Sequence, residues 1–140
     1  MSAVNDVFSY LEAQGIAGGS TLWALLRRRE TDEPDTEQQL VVVAEDGGPE
    51  PEIPATEGIG DSALYDVGVL ITVRAAAWDG DASAAKAKEI FDALHGKRGV
   101  TVGATTYIRV RCRSTEPIFV GFDDRGRPHH TLALLLLKAA

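Results

Sequence analysis

Ten residues in the middle of the chain limit the fold more than any others. Tyr65, Val67, Val69, Ile71 and Val73 alternate with Asp66, Gly68, Thr72 and Arg74, and only Leu70 breaks the polar side. Side chains that switch face at every residue give one apolar and one polar surface, so this period of two demands a half-buried strand and a sheet around it. Leu40-Val41-Val42-Val43 is the nearest companion, because consecutive β-branched residues suit a pleated surface better than a helix. The run from Thr21 to Arg28, around Trp23, reads as an earlier strand.

Two segments carry the helical period instead. Val4, Val7, Phe8 and Leu11 predict a helix over 3–14, with Gly15 as its stop. Ala84, Ala87, Ile90, Phe91 and Leu94 predict a second, capped by Asp79 or Asp81 and ended at His95-Gly96. Beyond it, 100–102 and 105–113 form a hairpin, Pro117 to Phe122 runs extended, Asp124-Arg125-Gly126-Arg127 turns, and His129 to Lys138 is the last strand. The expected fold is α+β: a mostly antiparallel sheet of about five to six strands, two helices packed on one face, and a long acidic loop. One domain spans 1–140, with an arm at 46–63 that holds Pro49, Pro51 and Pro54.

Charge is divided unevenly along this frame. Glu30 to Asp66 contains 12 acidic residues and no basic one, while all 14 Lys and Arg and only 9 of the 21 acids lie elsewhere. The segment carries −12 against +5 for the remainder, within a net −7. Opposed potentials on one chain suit a molecule that meets a partner or a copy of itself, and a solvated acidic loop is the plainer reading. A pI of about 4.9 argues against a protein that lives on nucleic acid. Cys112, the only cysteine, excludes an intrachain disulfide, and the longest apolar run, Leu132 to Leu137, is far short of the ~20 residues of a membrane helix. No membrane partner is expected.

No catalytic constellation emerges. His129 and His130 are strand neighbours and face opposite ways, His95 falls in a last helical turn where a cation suits the dipole, and Cys112 belongs to an apolar strand face. Asp32, Glu33, Asp35 and Glu37 lack the calcium-loop frame, and neither Gly18-Gly19 nor Gly47-Gly48 leads into a phosphate-loop lysine. The reading is non-enzymatic and without cofactor or metal. On the hairpin's second arm, Ile108, Val110 and Cys112 face one way and Tyr107, Arg109, Arg111 and Arg113 the other. Arg74 extends this cationic ribbon if its strand is adjacent. The ribbon is an edge guarded by charge, a dock for the acidic segment of a neighbour, or a contact with passing DNA. The candidate interface is Glu50, Glu52, Ile53 and Glu57 on the acidic side, and Arg74, Arg109, Arg111 and Arg113 on the basic side.

The order of these pieces resembles the tail terminator family of long-tailed bacteriophages, also called minor capsid or tail completion proteins. The resemblance runs through the opening helix, the Trp23 strand, Leu40-Val41-Val42-Val43 with Gly47-Gly48-Pro49, and the strand Tyr65 to Arg74. It continues in the helix Ala84 to Gly96 and in Pro117 to Arg127 with its closing strand. It implies a structural virion protein forming a ring, usually a hexamer, that caps the tail tube, ends its polymerisation and meets the head-side connector. Its implied partners are copies of itself, the tail tube protein and the connector, with DNA passing through the channel without sequence-specific binding. The implied location is the head-proximal end of the tail, reached from the host cytoplasm. In such a ring Leu134 and Leu136 cover the core while Leu135 and Leu137 are left for an interface. Another head–tail neck component is the alternative, and a small ligand- or DNA-binding domain a more distant one.

Overall fold

The structure, a computed structural model, describes residues 3–19, 21–27, 39–47 and 64–139. Nine elements follow in chain order. They are α1 (Ala3–Ala13), β1 (Ala24–Arg27), β2 (Leu40–Gly47), β3 (Leu64–Arg74), α2 (Gly80–Leu94), β4 (Arg98–Val102), β5 (Thr105–Cys112), β6 (Ile118–Phe122) and β7 (Pro128–Ala139).

Val4, Val7 and Leu11 bury one stripe of α1. The helix stops because the Gly15 N–H reaches the Glu12 carbonyl and the Ile16 N–H reaches that of Leu11, with Gly15 at φ +70°. This paired closure needs a left-handed residue, which glycine supplies without strain. Asp79 caps α2 by accepting from the Ala82 N–H at 3.2 Å. The buried stripe of α2 is Ser83, Ala87, Ile90 and Leu94. Ala84, expected to be buried, is exposed, and Ser83 takes that place because its hydroxyl bonds His130 Nδ1 at 2.6 Å.

The strands run β1-β2-β3-β7-β5-β4, with β6 also on β7, making seven in one sheet. The expectation of a mostly antiparallel sheet is corrected to a mixed one. β1 pairs β2 in parallel, Ala24 opposite Leu40, while the other pairings are antiparallel. A parallel pair needs a return connection of about a dozen residues, and 28–39 supplies it. β7 is the hub: β3 fills one edge from Leu64–Ala139 to Arg74–His129. Its other edge is divided, with β6 against Pro128–Thr131 and β5 against Leu134–Leu137.

One apolar cluster gathers Val4, Val7 and Leu11 of α1 with Ala87, Ile90 and Leu94 of α2 over Val41, Val43, Val69, Ile71, Val73, Leu132, Leu134 and Leu136. The opposite face of the central strands is buried too, at Leu40, Val42, Leu135 and Leu137. Leu135 and Leu137 are therefore not left over for an interface as expected; the single chain already withdraws them from water. A central strand covered on both sides reads as a continuous apolar run, which is what Leu132 to Leu137 is. Tyr107 ties α1 to the sheet by donating its hydroxyl to the buried Asp6 carboxylate. Burial, followed by that bond and the Asp6 charge, pushes the phenol well above its usual range.

Candidate functional site

Two edges of this sheet stand out, one apolar and one cationic. β6, Ile-Phe-Val-Gly-Phe, leaves Ile118, Phe119, Val120 and Phe122 exposed. A strand this apolar belongs inside a fold unless something outside covers it. Among the described strands β6 is paired on β7 alone, and none of its residues joins the core that the two helices help to bury.

Trp78, in the β3–α2 connection, extends the patch. It is 75% exposed, and its ring lies 5.3 Å from that of Phe122, which in turn meets Phe119 edge-on at 5.4 Å. Its backbone is left-handed at φ +63°, a conformation that costs a bulky residue about 1–3 kcal/mol and persists only where its surroundings enforce it. The enforcing contact is the β6–β7 turn. The Trp78 N–H donates to the Gly126 carbonyl at 2.7 Å, and a Cβ at Gly126 would fall 2.5 Å from the indole. Only glycine lets the ring lie there.

The turn is itself fixed by Asp123. Its carboxylate accepts from the backbone N–H groups of Arg125 and Arg127, each at 2.9 Å, from Arg127 Nε at 2.7 Å, and lies 3.2 Å from His129 Nε2. Burial by itself would raise this carboxyl, but the donors from Arg127, His129 and Arg125 outweigh it and hold it well below the usual carboxylate range. A shallow depression of about 260 Å³ lies over Val120, Phe122 and His129.

The cationic edge is built from β4 and β5. Arg109, Arg111 and Arg113 are exposed as expected, joined by Lys97 and Arg98. Tyr107 does not share their exposure. It is buried and Ile108 exposed, so burial departs from the expected alternation, although the β4–β5 register runs unbroken from Arg98–Arg109 to Val102–Thr105. Arg74 is likewise withdrawn from the ribbon: it is only 2% exposed, and β7 separates its strand from β5. Arg111 reaches back across β7 to the buried Asp66 at 3.8 Å. Glu50, Glu52, Ile53 and Glu57 lie outside the described residues, so their pairing with these arginines is not seen.

The groups with possible chemistry are occupied internally. Ser83 and His130 bond each other, but Ser83 is fully buried and cannot meet a substrate. Burial lowers the His130 pKa from 6.5. His95 Nδ1 accepts the Cys112 N–H at 3.0 Å, and its ring stacks on Phe91. Burial pushes the Cys112 thiol up to about 11, which suppresses the reactive thiolate. Among the described residues no three His, Cys, Asp or Glu converge as a metal site, and no helix is long and apolar enough to cross a membrane. Sequence reasoning passes over Trp78 and β6. The available signal is five nearly all-apolar residues between Pro117 and an Asp-Asp turn.

The chain is thus a small α+β domain with surplus apolar surface on an open strand edge. The profile of the family described as bacteriophage tail terminator protein matches residues 10–137. The chain belongs to that family and is a structural protein of the phage tail. A solved chain from the "Virion of native gene transfer agent (GTA) particle" superposes with a TM-score of 0.64 over 99% of this chain and 96% of that one. At 16% identity the likeness is one of fold. Among curated proteins no sequence matches.

Proposed function

We propose that copies of this chain close into a ring, a hexamer, that caps the finished tail tube at its head-proximal end. The ring ends tube polymerisation and offers the surface on which the head-side connector joins, and DNA passes through its channel without sequence-specific contact. The subunit reaches that position from the host cytoplasm during assembly. The observation that carries this reading is the family match across residues 10–137. The open edges support it, because a ring is held by a heterologous contact in which one patch meets a different patch on the next copy. On this reading Arg109, Arg111 and Arg113 face the neighbouring subunit, and the arm at 46–63 with Glu50, Glu52, Ile53 and Glu57 supplies their acidic counterpart. No cofactor takes part.

The test is polymerisation of the tail tube protein with and without this chain. Capped tubes that stop growing, seen by electron microscopy, together with a discrete oligomer in mass photometry, are the expected result. Tubes that lengthen unchecked beside a monomer at every concentration would overturn it.

A further inference from the structure

Three aromatic rings continue one another along the margin of the sheet. Trp78 meets Phe122, Phe122 meets Phe119, and Phe119 lies 5.2 Å from His130. There the row ends in a hollow of about 410 Å³ between α2 and the β5–β6 connection, lined by Ala84, Phe91, Pro117 and His130. The row is placed before anything binds. The Trp78 backbone keeps its left-handed strain, and Gly126 leaves the space in which the indole lies. Strain of this kind gathers at ligand clamps. A tryptophan already fixed in position anchors a contact strongly, because little freedom is left for binding to remove.

Size and charge narrow the occupant. With Trp78 75% exposed, Phe119 50% and Phe122 51%, the rings offer roughly 400 Å². A stable pair of proteins buries about 800 Å² on each side, so this row does not hold a dimer by itself. It suits a contact made many times in parallel, where linked weak contacts add up to tight binding. Asp79, Asp81 and Asp124 are exposed at the Trp78 end against the exposed Arg125, which leaves that end net negative. A second copy offering the same row would set these acids against their equivalents, and the arm at 46–63 is itself acidic, so charge disfavours both. We infer, resting on the ring reading, that the row seats the end of the tail tube. A segment of each terminal tube subunit lays apolar side chains over the rings and into the hollow, and carries lysine or arginine where it passes Asp79, Asp81 and Asp124. The tube is the occupant because the ring must hold it, and because its repeated subunits supply in parallel what one row of this size lacks. The arginine ribbon and the acidic arm, which join neighbouring copies on that reading, leave the row free.

The test counts, in electron micrographs, the fraction of tail-tube ends that carry a ring as the concentration of the full chain is raised. Glycine takes a φ of +63° without strain. Trp78→Gly should therefore keep the wild-type melting temperature and the wild-type oligomer in mass photometry, yet need about tenfold more chain or worse to cap the same fraction of ends. Phe122→Ser carries the same expectation while leaving the Trp78 backbone alone. Asp124→Lys should weaken capping several-fold at low salt, and added salt should narrow its gap to wild type. Trp78→Gly or Phe122→Ser chains that cap as well as wild type would overturn the seat and leave the ring reading intact. Variants that stay monomeric where wild type closes would give the row to a second copy, and variants that cap tubes but yield tails unable to join heads would give it to the connector; either result overturns the assignment. Loss of capping that follows a fall in melting temperature in both variants would make the row a packing feature and overturn it too. Wild-type chains that neither close nor cap tubes would overturn both readings.

Discussion

β5 and β6 share one edge of β7 and make opposite use of it. β5, Thr-Thr-Tyr-Ile-Arg-Val-Arg-Cys, looks half polar, yet it sends Tyr107, Val110 and Cys112 into the core. β6 is apolar almost throughout and leaves its large side chains in water. Composition alone would place them the other way round. Burial is decided by what packs over a strand: α2 and β5 contribute to one core, while no β6 residue belongs to it. An apolar strand left outside points to a surface completed by another molecule.

The comparison can be broken at its deepest point first. Leu134, fully buried where β7 meets β5, should cost about 2–5 kcal/mol as Leu134→Ala, read from urea unfolding. Tyr107→Phe removes the donor to Asp6 and leaves a buried carboxylate short of a partner. A loss of about 1–3 kcal/mol is expected, again from urea midpoints.

A smaller effect is expected where the two regions touch. His130 bonds Ser83 and lies 5.2 Å from the Phe119 ring. Its folded pKa is lowered by burial, so below 6.5 the unfolded chain binds the proton more readily. The stability of the neutral ring is complete above 6.5 and falls as the pH drops toward the folded value. Unfolding midpoints between pH 7.5 and 5 should decline in wild type and less steeply in His130→Gln. Smallest of all, Val120→Thr on the exposed edge should change monomer stability by no more than about 0.5 kcal/mol. A large loss there would mean β6 is packed within the monomer, and the contrast with β5 would disappear.

Much of this architecture is legible from local pattern. β3 coincides with its alternating run, α1 stops at Gly15, and α2 begins behind Asp79, because period and cap chemistry are written in adjacent residues. Features set at a distance are not. The parallel pairing of β1 on β2 has no signature within Ala24–Arg27, and the burial of Arg74 follows from a place beside β7 that only the whole topology assigns. Tyr107 is buried against expectation because its hydroxyl meets Asp6 of α1, a partner 101 residues away that nothing in its own strand announces. Of the candidate site, the exposed arginines of β5 are visible as charges on alternate residues. Trp78 is not, since its neighbours Phe122 and Gly126 come more than forty residues later.

The divided edge of β7 also has a mechanical meaning. A load applied to the aromatic patch along the strand direction passes first through the four residue pairs that join β6 to β7. It then enters the same continuous strand that is held to β3 by eleven consecutive pairs. Those pairs would have to slide together and could not unzip singly, so tension at the rim is spread through the middle of the sheet before any core side chain is pulled free.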